Sequence, residues 1–294
     1  MNNINALGIN EVRNQCWNTI FCTFILNYLS NKMKINLISK NALVGAATQG
    51  IGAAVATELA QCGANVTVIA RNEAKLMNFI SLLPVIAEGQ NHQYIVADYS
   101  DFENYKSIIS EYFKNHTVDI LVNNTNGPAT GLALEKETEA YQSAFDLLFK
   151  TTCETSLLAL PHMIKQKYGR IINVSSLSVK EPIANLVLSN SIRSAVVAWS
   201  KTLSNEVAQH NITINNVLTG FFDTERIKQM IENEAQGSNT SPADIKQARE
   251  NKIPMKRLGK PEEYAYLVAF LASEYASYLT GASIPLDGGL SNGY

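Results

Sequence analysis

The residues best suited to chemistry form one run, Val44-Gly45-Ala46-Ala47-Thr48-Gln49-Gly50-Ile51-Gly52. A short apolar stretch, Ala42 to Gly45, leads into it and a segment of helical period follows. In a strand–turn–helix setting, missing side chains let the backbone approach a pyrophosphate, while free N–H groups and the helix dipole face its charge. The setting, more than the glycines, carries this reading, since tight helix–strand packing without a ligand also uses glycine. No Lys-Ser or Lys-Thr pair follows Gly50, so the run is not a Walker phosphate loop.

A second chemical signal stands at Ile69-Ala70-Arg71-Asn72, the end of the next strand candidate. An acidic side chain there would hold the ribose 2′-hydroxyl of NAD(H), whereas the planar fork of an arginine pairs with a 2′-phosphate. Arg71 therefore favours NADP(H) over NAD(H); a solvated strand-end arginine is the plainer alternative. The cysteines Cys16, Cys22, Cys62 and Cys153 form no CxxC, and the four histidines form no HExxH, so neither a metal site nor a disulfide framework is expected. Free thiols fit a reducing compartment, and the expected localisation is cytoplasmic.

These groups need a scaffold. From residue 35 onward short β-branched runs alternate with longer segments of helical period, the pattern of a parallel sheet with helices on both faces. Seven strands are predicted: Ala42 to Gly45, Asn65 to Ala70, Gln93 to Ala97, Asp119 to Val122, Arg170 to Val174, Thr213 to Leu218 and Ser283 to Leu286. Helices are predicted over Ile51 to Cys62, Glu73 to Leu83, Phe102 to Lys114, Glu139 to Gln166, Asn190 to Gln209 and Glu262 to Ser273. The fold class is α/β, a single doubly wound Rossmann-like domain over residues 33–294. The segment 224–252 is polar and helix-prone, interrupted at Gly237 to Pro242, with Ser241-Pro242-Ala243-Asp244 reading as a helix start.

Composition agrees. The 294 residues are long enough for a full core, 46% are hydrophobic, and the charged fraction of 17% lies below the usual ~25%, which argues against disorder and coiled coils. With 24 basic and 26 acidic residues, a net charge of −2 and no Lys/Arg run, no nucleic-acid partner is expected. Residues 1–32 differ: they are rich in Asn, and their apolar patch from Cys16 to Leu29 is broken by Asn18, Thr19 and Asn27. That patch is too short and too polar for a membrane span, and Glu11 balances Arg13, so a basic leader is not evident either. A disordered or loosely docked extension is expected, and the sequence leaves open whether it belongs to the mature protein, since Met33 would also serve as a start.

Taken in order, VGAATQGIG (44–52), ADYS (97–100), DILVNNTNG (119–127), GRIINVSS (169–176), ITINNVLTGFFDTE (212–225) and RLGKPEEYAYLVAFLASEYASYLTGASIPLDGG (257–289) resemble the short-chain dehydrogenase/reductase family, most closely its beta-ketoacyl-ACP reductase-like members. The resemblance covers residues 35–292. It implies a seven-stranded parallel sheet, a Rossmann-like cofactor site, a small-molecule carbonyl or alcohol substrate, and a homodimer or homotetramer. The family's TGxxxGxG falls on Gly45 to Gly52, with Gly45 in place of Thr and Ala46 in place of the first Gly. Thr48, Gln49, Gly50, Ile51 and Gly52 complete the implied cofactor turn. Asp98 and Tyr99 match the adenine position, Asn124 and Gly127 the NNAG segment on the adenosine side, and Gly220, Phe222 and Thr224 the segment beside the nicotinamide. Residues 224–252 match the mobile substrate lid.

The catalytic positions depart further. The family uses a Ser, a Tyr thirteen residues later and a Lys four beyond that; here the resemblance gives Ser176, Ser189 and Arg193, an SxxxR in place of YxxxK. The family's helix Asn, twenty-eight residues before the Ser, falls on Leu148. No realignment supplies the tyrosine, because none lies between Tyr168 and Tyr264. A tyrosine of intrinsic pKa ~10 depressed by a nearby cation protonates an alkoxide well; a serine is far less acidic, and an arginine is effectively never deprotonated. Arg193 can still anchor the ribose and supply charge. Lys180, four residues beyond Ser176, would serve as the acid if desolvated; a surface lysine paired with Glu181, or water as the proton source, are the other readings. The sequence thus supports an NADP(H)-dependent carbonyl reductase with a divergent proton donor, with a catalytically silent NADP(H)-binding sensor or partner subunit as the alternative and enoyl reduction or dehydration as a third.

Overall fold

The computed structural model describes residues 33–293; the expectations for residues 1–32 fall outside them. The compact unit begins at Asn36. Its seven strands are β1 (Asn41–Gly45), β2 (Asn65–Ala70), β3 (Gln93–Val96), β4 (Ile120–Asn123), β5 (Gly169–Ser176), β6 (Ile212–Thr219) and β7 (Ser283–Leu286). All pair in parallel, in the order β3-β2-β1-β4-β5-β6-β7. The sheet is the predicted one, with β5 and β6 extended at both ends. Strands β1 and β6 are buried along most of their length because helices cover both faces; β1 accordingly reads as a near-continuous apolar run, whereas β6 carries Asn215 and Asn216 whose side chains are hydrogen-bonded in the interior.

The helices start where the sequence supplies caps. Helix α1 (Gly50–Gln61) follows the glycine run. The Asn72 side chain accepts from the Lys75 amide to open α2 (Glu73–Leu82), and Asp101 does the same for Asn104 at α3 (Phe102–Asn115). The helix predicted from Glu139 to Gln166 is two α segments, α4 (Thr138–Phe145) and α5 (Thr151–Gln166), joined by a π turn at Asp146–Lys150. Thr151 and Thr152 donate their hydroxyls to the Leu147 and Leu148 carbonyls at 2.6 and 2.7 Å, competing with the helix ladder where it widens. Helix α6 is Val187–Val207. The segment after β6 is a helix pair, α7 (Glu225–Ser238) and α8 (Pro242–Lys252), the latter capped by Ser241 with Pro242 in its first turn as the sequence predicts. Helix α9 (Pro261–Ala272) packs on α1.

Two features of the sheet bear on function. The strand order reverses between β1 and β4, and the space beyond the carboxyl ends there is the topological switch point where such folds bind ligands. In register across β4, β5 and β6 lie Asn123, Asn173 and Asn216; Asn123 donates to Asn173 at 2.9 Å and Asn173 to Asn216 at 3.0 Å. Ser156 and Ser200 close the ends of this buried polar ladder at 3.0 Å each, fixing three strand ends beneath the switch point.

Candidate functional site

A cleft of about 1040 Å³ opens at the switch point, bounded by the glycine turn, the end of β2 and the start of α7. The turn is shaped by close approach. Gly50 sits at φ +56°, and Ala46, which carries a side chain, at φ +45°. A Cβ at Gly52 would stand 2.4 Å from the Ala46 carbonyl oxygen, so α1 must begin with glycine to lie this near the turn. Gln49, the residue before α1, makes no side-chain cap, and the first turn holds no acid. The leading amides of α1 are therefore donors without a side-chain acceptor, and Thr48, Gln49 and Gly50 line the cleft beside them. These residues fit a dinucleotide's pyrophosphate, with Ile51 on the neighbouring wall.

At the far end of the cleft Arg71 stands 61% exposed, its Nη1 3.7 Å from Asp98 Oδ2. So open an ion pair holds the arginine weakly and leaves its fork available. Asp98 also accepts the Ser100 amide at 2.9 Å and its hydroxyl at 2.7 Å. Partial burial pushes its carboxyl up, but the Ser100 bonds and Arg71 outweigh it and hold the group below the usual carboxylate range. Lys75, one turn into α2, lines the same end and adds a second cation that sequence reasoning missed; its signal was its place on the helix capped by Asn72. Tyr99 is buried, its ring 4.8 Å from that of Tyr105 and its hydroxyl bonded to the Ala46 backbone.

A smaller cavity of about 200 Å³ adjoins the cleft, and Thr224 lines both. Into it the fold brings Ser176 from the end of β5 and Ser189 and Arg193 from α6. The Ser176 hydroxyl oxygen accepts the Ser178 amide at 3.2 Å, which leaves its proton free to donate. Arg193, half-buried, donates Nη1 to the Val174 carbonyl at 2.5 Å, which ties the guanidinium to β5; among the described residues its other N–H groups have no acceptor. Burial lowers its pKa to about 10, opposed by Tyr264 and helped by the smaller effect of the neighbouring Arg226 charge; it is charged at neutral pH.

The remaining candidates separate. Asn124, Gly127, Gly220 and Phe222 line the smaller cavity and not the large cleft. Asn124 donates Nδ2 to the Gly45 carbonyl at 3.1 Å, joining the ends of β1 and β4. Phe222 is buried edge-on against Tyr264 at 5.4 Å. Thr224 caps α7 by accepting the Ile227 amide at 3.5 Å. Lys180 is exposed and lines neither cavity, so the desolvation its role as acid required is absent. Leu148 is buried within the π turn. Tyr264, fully buried, donates to the Val217 carbonyl and accepts from Thr219, both at 3.3 Å; burial raises its pKa, and it lines neither cavity. A second residue that sequence reasoning overlooked, after Lys75, is Arg226, on the first turn of α7, whose guanidinium enters the smaller cavity across Gly127. Its only sequence signal was a lone arginine two residues beyond the Thr224 cap. Among the described residues no three His, Cys, Asp or Glu side chains gather as a metal site would require, and no helix is long and apolar enough to cross a membrane.

Comparison with known proteins agrees with this geometry. A family model described as Enoyl-(Acyl carrier protein) reductase matches residues 45–291. The 3-oxoacyl-[acyl-carrier-protein] reductase FabG of Rickettsia conorii is 34% identical over 259 residues, 87% of this chain and 98% of that protein. The NADPH-dependent reductase BacG of Bacillus subtilis is 34% identical over 254 residues, 85% of this chain and 97% of that protein. Among solved structures, YwfH, an NADPH dependent reductase involved in bacilysin biosynthesis, superposes with a TM-score of 0.81 at 31% identity, covering 87% of this chain and 99% of that one.

Proposed function

The chain belongs to the short-chain dehydrogenase/reductase family of oxidoreductases, and from that premise we propose that it is an NADP(H)-dependent, 3-oxoacyl-ACP reductase-like enzyme that reduces a carbonyl substrate without a tyrosine acid. The observation that carries this reading is the pairing of the two cavities. An uncapped α1 terminus and Arg71 with Lys75 line the larger, Ser176, Ser189 and Arg193 line the smaller, and Thr224 joins them. The first group suits a pyrophosphate and a 2′-phosphate, and the second suits a polarised carbonyl.

When bound, NADPH supplies a hydride. The Ser176 hydroxyl would donate a hydrogen bond to the substrate oxygen while keeping its proton, and Arg193 would offer charge where negative charge develops on that oxygen. Ser189 orients the substrate by a further hydrogen bond. The alkoxide that reduction would leave would take its proton from water entering the cavity; Lys180 is exposed and lines neither cavity, so it is not placed to supply it. The two described cysteines are free, which fits a reducing, cytoplasmic setting, and the family resemblance suggests a homodimer or homotetramer.

A catalytically silent NADP(H)-binding protein is the second reading, favoured by the lack of any group in the smaller cavity that titrates near neutral pH. One experiment separates them: NADPH binding followed by fluorescence, with turnover measured on diketones, acetoacetyl thioesters, quinones and sugars. Binding with turnover above buffer supports the reductase. Tight binding with no turnover on any member replaces it with the silent reading, and no binding of either nucleotide removes both.

A further inference from the structure

The smaller cavity holds two arginines from different elements, Arg193 on α6 and Arg226 on α7, and no carboxylate lines it. The Arg226 guanidinium lies over Gly127 so closely that a Cβ there would stand 2.5 Å from Nη2, and its hydrogen bond goes to the Pro128 carbonyl at 3.5 Å. Among the described residues it has no acidic partner. The nearest acids in sequence, Asp223 and Glu225, line the large cleft instead. Desolvation lowers the pKa of Arg226, and its charge in turn lowers that of Arg193. Two partly desolvated cations facing one space without a counterion are unfavourable unless an anion joins them. Beside its uncharged polar groups the wall carries an apolar set: Ile183, Leu186, Ile227, Met230 and Leu290.

We infer that the substrate is a carbonyl compound bearing its own free carboxylate, a 2-oxo acid with an apolar body, held by the Arg226 and Arg193 forks with the carbonyl toward Ser176. This rests on the reading of the smaller cavity as the substrate site, and it narrows that reading away from neutral acyl thioesters. The fork of an arginine matches a carboxylate in two parallel hydrogen bonds, and bonds to charged groups are about twice as strong as neutral ones. The same fork would also suit a phosphate of the cofactor, so the test must tell the two apart.

The full-length protein saturated with NADP+, which allows no forward turnover, is titrated calorimetrically with 2-oxooctanoate and with its neutral amide. The acid is expected to bind at least about tenfold more tightly. Arg226→Gln should bring the two ligands close to parity, Arg226→Lys should keep part of the preference, and the Kd for NADP+ should change by less than about threefold in either variant. Equal affinity for acid and amide, absence of binding by either, or a preference that survives Arg226→Gln overturns the proposal. So does loss of NADP+ affinity in parallel with the acid, which would assign the arginine to the cofactor. NADPH oxidation with 2-oxooctanoate is followed separately. Acid preference without oxidation sinks the reductase reading and keeps the anion site, whereas oxidation of neutral ketones without acid preference does the reverse.

Discussion

The Tyr99 hydroxyl fills the space that a side chain at position 45 would need: a Cβ on Gly45 would stand 2.6 Å from it and 2.2 Å from the Asn124 carbonyl oxygen. The glycine displaced from position 46 has a use here, because it admits a tyrosine ring between the ends of β1 and β4. Gly45→Thr, which restores the residue usual in the family, should therefore destabilise the protein by about 2–3 kcal/mol. Tyr99→Val should recover part of that loss, with a coupling above about 0.5 kcal/mol in a urea-unfolding cycle. Strict additivity of the two changes would show that the ring and the glycine are unrelated.

Ala46 pays for the same exchange, since its φ of +45° is left-handed and costs a residue with a side chain about 1–2 kcal/mol. Ala46→Gly relieves that strain against a smaller loss from a more flexible unfolded chain. The expected net gain is about 0.5–1 kcal/mol, read from the midpoint of denaturant unfolding without cofactor. A loss of stability would mean that the Ala46 methyl group packs more usefully than its backbone suffers.

Arg71 is exposed and only loosely tied to Asp98, so its replacement should leave folding within about 0.5 kcal/mol of the native protein. Arg71→Asp should nonetheless shift the ratio of NADPH to NADH affinity by about tenfold or more toward NADH, because it removes the fork that suits a 2′-phosphate and adds an acceptor for the 2′-hydroxyl. Fluorescence titration of both nucleotides reads the ratio. An unchanged ratio would move the discrimination to Lys75.

Among the described residues, no Asp, Glu, His, Lys, Cys or Tyr lines the smaller cavity. If the protein turns over, kcat at saturating NADPH should stay within about twofold from pH 6 to pH 9. The decline should come only as the pH approaches about 10, where Arg193, its pKa lowered by burial and by Arg226, loses the proton that keeps it charged. Charge, and with it the rate, falls as pH rises. An inflection near pH 7 would require an acid that this cavity does not contain, and Lys180→Ala would then be the variant to examine.

The two half-buried thiols give a stability-free check of the packing. Burial, followed by the nearby Glu58, pushes Cys62 up to about 11, and burial followed by Glu154 pushes Cys153 up to about 12. Raised thiol pKa values keep both groups neutral below their titration, so alkylation at pH 8 should spare these two peptides in the native protein and label them after unfolding in guanidinium. Mass-resolved labelling of Cys62 in the native state would contradict the packing of α1.

Much of this was legible in the sequence because it is local. Strand Asn65–Ala70 and helix start Ser241-Pro242 depend on alternation, propensity and caps within a few residues, and both stand where the sequence predicts them. The glycine turn is equally local, since Gly50 answers to its own left-handed φ and Gly52 to the Ala46 backbone in the same loop. The π turn after Phe145 was not legible, because helical period survives one extra residue and only the competition of Thr151 and Thr152 for carbonyls marks it.

By itself the sequence determined a doubly wound sheet, the glycine turn after β1, and the absence of any tyrosine between Tyr168 and Tyr264, all properties of residue type and spacing. Only the tertiary structure decided which charges meet. It leaves Lys180 in solvent although it lies four residues from Ser176, and it brings Arg226 to Arg193 across 33 positions of chain. Burial and charge pairing are set by the walls that separate elements build together, and spacing along one chain does not carry that information.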